Sequence, residues 1–120
     1  MVIYTPEGLQ RMSYFFNLYE SDPSKLDYVE LGYARDKAEY ELRKYLDRAN
    51  TIADRLGISP TWYKMATPEI IERCRVAHRK WLIGQATEED TLDAMNYCMY
   101  QADNWDDEIQ IINMLAESKE

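Results

Sequence analysis

The chain has 120 residues, 46% hydrophobic and 30% charged, with a formal net charge of −8. This composition describes one globular domain able to bury about two-thirds of its unfolded surface, and it excludes a disordered or fibrous chain. Ten Tyr and three Trp are a heavy aromatic load, and those rings require either a core or a partner.

The first residues, Met1-Val2-Ile3-Tyr4-Thr5-Pro6-Glu7, have no basic region and no long apolar stretch behind them, so no secretory signal is expected. The longest apolar runs are three residues, as in Tyr14-Phe15-Phe16, against the roughly 20 that span a bilayer. Cys74 and Cys98 suit free buried thiols better than a disulfide framework, and a cytoplasmic location is the expectation.

Four prolines each follow a helix-capping residue, at Thr5-Pro6, Asp22-Pro23, Ser59-Pro60 and Thr67-Pro68. Proline suits the first helical position, where its missing N–H has no partner to lose, and the residue before it can accept orphan donors of the first turn. Helix one therefore starts at Pro6, with Leu9, Met12, Phe16 and Tyr19 on one face and Tyr4 positioned to staple onto Leu9. Helix two, marked at Asp22-Pro23, is the long one. Its stripe of Leu31, Ala34, Ala38, Leu42, Tyr45, Ala49, Ile52 and Leu56 keeps steps of three or four, with small residues that permit close approach.

A short helix over Pro60 to Ala66 follows, carrying Trp62 and Tyr63, and then a fourth from Pro68 to Ile83 with Ile71, Cys74, His78 and Trp81 on one face. Gly57 and Gly84 stand where helix stops are needed. The fifth opens at Thr87-Glu88-Glu89-Asp90, a capping-box-like pattern. The stripe Met95, Cys98, Ala102, Trp105, Ile109, Ile112 and Ala116 then permits either one continuous helix or a break near Asp103-Asn104. The expected fold class is all-α, a compact single-domain bundle of about five helices with one long spine helix and no β-sheet.

Charge is the clearest asymmetry. Residues 1 to 86 carry 13 Lys or Arg against 12 Asp or Glu, whereas residues 87 to 120 carry one Lys against ten acids. That acidic third reads either as a solvated face, partly neutralised by Arg73, Arg75, Arg79 and Lys80, or as a docking surface for a basic partner that normally holds nucleic acid. Aromatics add a second signal. Tyr33 and Tyr40 lie off the main stripe of the long helix, in line with Leu26 and Val29, so that helix has a second apolar face, covered by another helix or exposed as an interface.

Competing chemistries have fewer residues behind them. A helix-turn-helix reading of Ile52 to Pro60 leaves Lys64 as the only cation of its recognition helix, too little for a motif that leans on phosphate contacts. A magnesium-dependent all-α nucleotide pyrophosphohydrolase needs clustered carboxylates. On one continuous helix, however, Glu89 and Asp103 are 14 residues and about 21 Å apart, so only a sharp break or a second subunit could join them. Cys74, His78 and Cys98 offer three zinc-type ligands without a fourth. Neither a nucleophile beside a general base nor a glycine-rich phosphate loop is present.

The sequence thus points to no catalytic residue, no cofactor and no metal. It favours a small acidic regulatory or inhibitor-type module that docks an acidic, aromatic-rich helical surface on a larger partner protein, with nucleic-acid mimicry and a viral or mobile-element origin as associated ideas. The expected docking residues are Tyr33, Tyr40, Asp103, Trp105, Asp106, Asp107 and Glu108. Direct nucleic-acid or membrane binding is not expected, and a homodimer is left open.

Overall fold

The structure, a computed structural model, describes residues 4–60 and 67–119, and among them all regular structure is helical. Four α-helices occur: α1 (Pro6–Ser21), α2 (Tyr28–Leu56), α3 (Pro68–Leu82) and α4 (Glu88–Glu117), with a 3₁₀ turn at Pro23–Lys25. Among the described residues four therefore stand where about five were expected. Apart from Pro60, the short helix expected over Pro60 to Ala66, with Trp62, Tyr63 and Lys64, lies outside the described residues.

Three helix starts follow the sequence logic. Thr5 accepts from the Gly8 amide at 3.0 Å, Thr67 from the Ile70 amide at 3.3 Å, and Thr87 and Asp90 exchange side chain-to-amide bonds at 3.1 Å each. The second start is different. Asp22-Pro23 begins only a single 3₁₀ turn, with the Asp22 carboxylate accepting from the Ser24 amide at 3.2 Å and hydroxyl at 2.6 Å. Leu26 then turns extended, and α2 opens at a reciprocal box in which Asp27 accepts from the Glu30 amide at 2.8 Å and Glu30 from the Asp27 amide at 3.0 Å. Leu26 therefore precedes α2 and is buried in the core instead of extending that helix's second face.

Both glycine stops hold. Gly57 (φ +68) and Gly84 (φ +75) are left-handed, and the following amides reach back to the Ala53 and Lys80 carbonyls at 3.0 and 2.9 Å. α4 runs unbroken through Asp103-Asn104.

The chain divides into two compact units, Met1–Glu41 with Trp105–Glu120, and Leu42–Asn104, so α2 and α4 each contribute a part to both. The core of the first unit contains Phe16, Tyr19, Leu26, Leu31, Ala34, Ala38 and Ile112, with Phe15, Leu18, Trp105 and Ile109 packed against it. The core of the second contains Ala49, Ile52, Ala53, Ala94, Met95 and Cys98, flanked by Tyr45, Leu56, Trp81 and Met99. Alanines at 34, 38, 49, 94 and 102 are essentially inaccessible, which is what close helix packing requires of them. Among the described residues no helix is long and apolar enough to cross a membrane.

Candidate protein-docking surface

The acidic last third splits into two electrostatic environments. In the second unit, α3 partners the first half of α4. Arg73 donates to the buried Asp93 carboxylate at 3.1 and 3.4 Å, and Lys80 lies 3.9 Å from Asp90. Asp90 is held below the usual carboxylate range chiefly by the Thr87 amide. Two of the four cations expected to neutralise the segment therefore do so, while Arg75 pairs with Glu72 on its own helix.

In the first unit the corresponding carboxylates have no ion pair among the described residues. Asp106 and Asp107 are exposed, and Asp106 only accepts from Gln110 one turn on, at 3.0 Å. Glu117 is exposed at the end of α4, whose last turn holds no basic residue to offset the negative pole of the helix dipole. Lys119, the one cation after Thr87, donates its ammonium to the carbonyls of Pro23 (3.3 Å), Ser24 (3.4 Å) and Leu26 and forms no ion pair among the described residues. Between these acids stand two large apolar side chains, Ile111 at 46% and Met114 at 70% exposure. The sequence reading missed both because they lie off the Trp105-Ile109-Ile112-Ala116 stripe, and off-stripe apolar residues are the available signal for an exposed patch.

The remaining expected docking residues are more deeply placed. Trp105 is half-buried, its ring 5.2 Å from that of Phe16. Glu108 is half-buried and accepts a 2.7 Å hydrogen bond from the buried Tyr19 hydroxyl, whose proton is held far more tightly than usual by burial and by that carboxylate. Tyr33 stacks on Phe15 at 5.5 Å with the Arg11 guanidinium 5.6 Å from its centroid. Tyr40 meets Tyr4 edge-on at 5.1 Å, with the Lys37 ammonium 5.4 Å away. The second face of α2 is therefore partly covered from the α1 side. Asp103, half-buried, belongs to the second unit, whereas Trp105 to Glu108 belong to the first.

Among the described residues the magnesium and zinc alternatives gain no geometry. Because α4 is continuous, Glu89 and Asp103 stay 14 residues apart on one helix. Among the described residues no three His, Cys, Asp or Glu side chains come together as a metal site. His78 is buried among the rings of Tyr97 (5.0 Å), Tyr45 (6.1 Å) and Trp81 (6.4 Å), and its Nε2 faces the Arg48 guanidinium at 3.5 Å. Burial first, then Arg48 and Lys44, lower its pKa to about 4, so the ring is neutral at pH 7. Cys74 and Cys98 are free and buried, and burial pushes the Cys98 thiol up to about 12. The recognition helix of the helix-turn-helix reading lies outside the described residues.

No protein-family model, no curated protein and no solved structure matches the chain.

Proposed function

We propose that the chain is a small regulatory, inhibitor-type binding module that docks the exposed face of the second half of α4 on a basic surface of a larger protein, in the manner of a nucleic-acid mimic. The contact is centred on Asp106, Asp107, Ile111 and Met114. One observation supports this reading: α3 cations partner α4 carboxylates in one unit, while among the described residues no ion pair involves Asp106, Asp107, Glu108 or Glu117, and the Lys119 ammonium hydrogen-bonds to carbonyls. Unpaired carboxylates steer a cationic partner, and exposed Ile and Met supply the desolvated area that charge alone does not.

The test combines Asp106→Lys with Asp107→Lys. Both positions are exposed, so stability should change by no more than about 0.5 kcal/mol. A partner recovered by pull-down and identified by mass spectrometry is then titrated over a salt series. The native chain should bind less tightly as salt rises and the Debye length shrinks from about 10 Å at 0.1 M towards about 3 Å at 1 M, and the double reversal should bind poorly at low salt. Binding indifferent to both salt and reversal overturns the electrostatic reading.

A further inference from the structure

Beside the acidic face, within the first unit, a recess of about 310 Å³ is lined by Tyr19, Glu20, Pro23, Glu108, Ile111 and Leu115. Its walls differ in chemistry. Ile111, Leu115 and Pro23 are apolar, and two acidic residues line it from different helices, Glu20 from α1 and Glu108 from α4. Glu108 is held in place because one of its oxygens, Oε2, accepts from the Tyr19 hydroxyl at 2.7 Å. Tyr19 is itself a core residue, so this bond ties a half-buried carboxylate to the packed core of the unit. The bond to a neutral phenol leaves the full negative charge on Glu108 and its second oxygen open as an acceptor, with no cation paired to it among the described residues. Lys119, although it reaches the Pro23 carbonyl, does not line the recess.

We propose that this recess receives an arginine side chain of the basic partner, an inference that rests on the docking reading above and names its anchor. The methylene stem lies along Ile111, Leu115 and Pro23, and the planar guanidinium, with five donors in a fork, reaches the Glu108 and Glu20 carboxylates at once, which a single ammonium does less well. Tyr19 is a positioning residue: it orients Glu108 and does not need to touch the guest.

The experiment follows the methyl resonances of Ile111 and Leu115 in the full chain during titration with N-acetyl-arginine amide, against N-acetyl-citrulline amide, its neutral isostere. Arginine should give saturable shifts at those methyls that citrulline does not. Glu108→Gln, which keeps shape and hydrogen-bonding capacity, should weaken binding about tenfold. Tyr19→Phe, which keeps the ring in the core, should weaken it several-fold while leaving the methyl spectrum of the free chain otherwise intact. Equal shifts with citrulline, an affinity untouched by Glu108→Gln, or shifts confined to the Asp106 and Asp107 amides would overturn the recess. The two readings fail separately. Salt-insensitive docking that survives the Asp106/Asp107 reversal removes the electrostatic docking reading but not arginine binding here, whereas salt-sensitive docking with no response of the Ile111 and Leu115 methyls removes the recess alone.

Discussion

His78 makes the pH dependence of stability a sharp test of the second unit's packing. It is buried, its Nε2 faces the Arg48 guanidinium at 3.5 Å, and its pKa is lowered from 6.5 to about 4. The unfolded chain therefore binds more protons than the native one between those two values, and stability must rise with pH across that window. The contribution is complete above about pH 6.5 and is lost progressively as pH falls from there to about 4; a shift of this size is worth about 3 kcal/mol in full. Between about pH 7.5 and pH 5, above the range where most carboxylates titrate, linkage gives a loss of about 2 kcal/mol.

Urea denaturation at those two pH values should show this loss in the native chain and a much smaller one in His78→Gln, whatever the variant's absolute stability. This is the chain's only histidine, so its ring resonance is unambiguous and its midpoint can be read directly by NMR. A midpoint near 6.5, or the same pH slope in the variant, would refute the buried, neutral placement between Tyr45, Tyr97 and Trp81.

Gly32 and Gly57 should respond to alanine with opposite signs in thermal melts. Gly32 is inside α2 with nothing within 4 Å of an added Cβ, so Gly32→Ala should stabilise by up to about 1 kcal/mol, whereas Gly57→Ala forces a side chain into φ +68 and should cost about 1 to 2 kcal/mol. Ile52→Ala, at an inaccessible core position, should cost about 2 to 5 kcal/mol by chemical denaturation, and a change under about 1 kcal/mol would remove Ile52 from the core. Tyr33→Ser should cost more than about 1 kcal/mol through its lost stack on Phe15, measured by the same melts; unchanged stability with impaired partner binding would instead make the ring an interface residue.

Much of the helical framework was legible because its signals are local. A threonine before Pro6 or Pro68, the Thr87/Asp90 exchange and the glycines at 57 and 84 act within one turn, so no knowledge of the rest of the chain is needed to read them. The error at Asp22-Pro23 has the same root. Two capping signals lie five residues apart, and the first, an Asp22 carboxylate closing onto Ser24, consumes itself in a 3₁₀ turn before the Asp27/Glu30 box can start α2. The long-helix stripe was readable for a different reason: Leu31, Ala34, Ala38, Ala49 and Ile52 are all inaccessible, and periodicity needs only that one face be buried, not what buries it.

The candidate surface was harder to read because charge counts do not say which carboxylates are already answered. Ten acids after residue 86 look alike in sequence, yet Asp93 is buried against Arg73, Glu108 is held by Tyr19, and Asp106 and Asp107 face water. These distinctions arise from contacts 20 and 89 residues apart along the chain, which no local pattern encodes. The same is true of Lys119, whose position at the tail suggests a free cation but whose ammonium is saturated by three carbonyls around the Pro23 turn. The ammonium keeps its charge, but it is held at the Pro23 turn instead of against a carboxylate of α4. Asp106 and Asp107, whose carboxylates have water as their alternative, are free to steer a basic partner, whereas Glu108, tied to Tyr19, belongs to the fold as well as to the surface and can hold a partner's cation in one place.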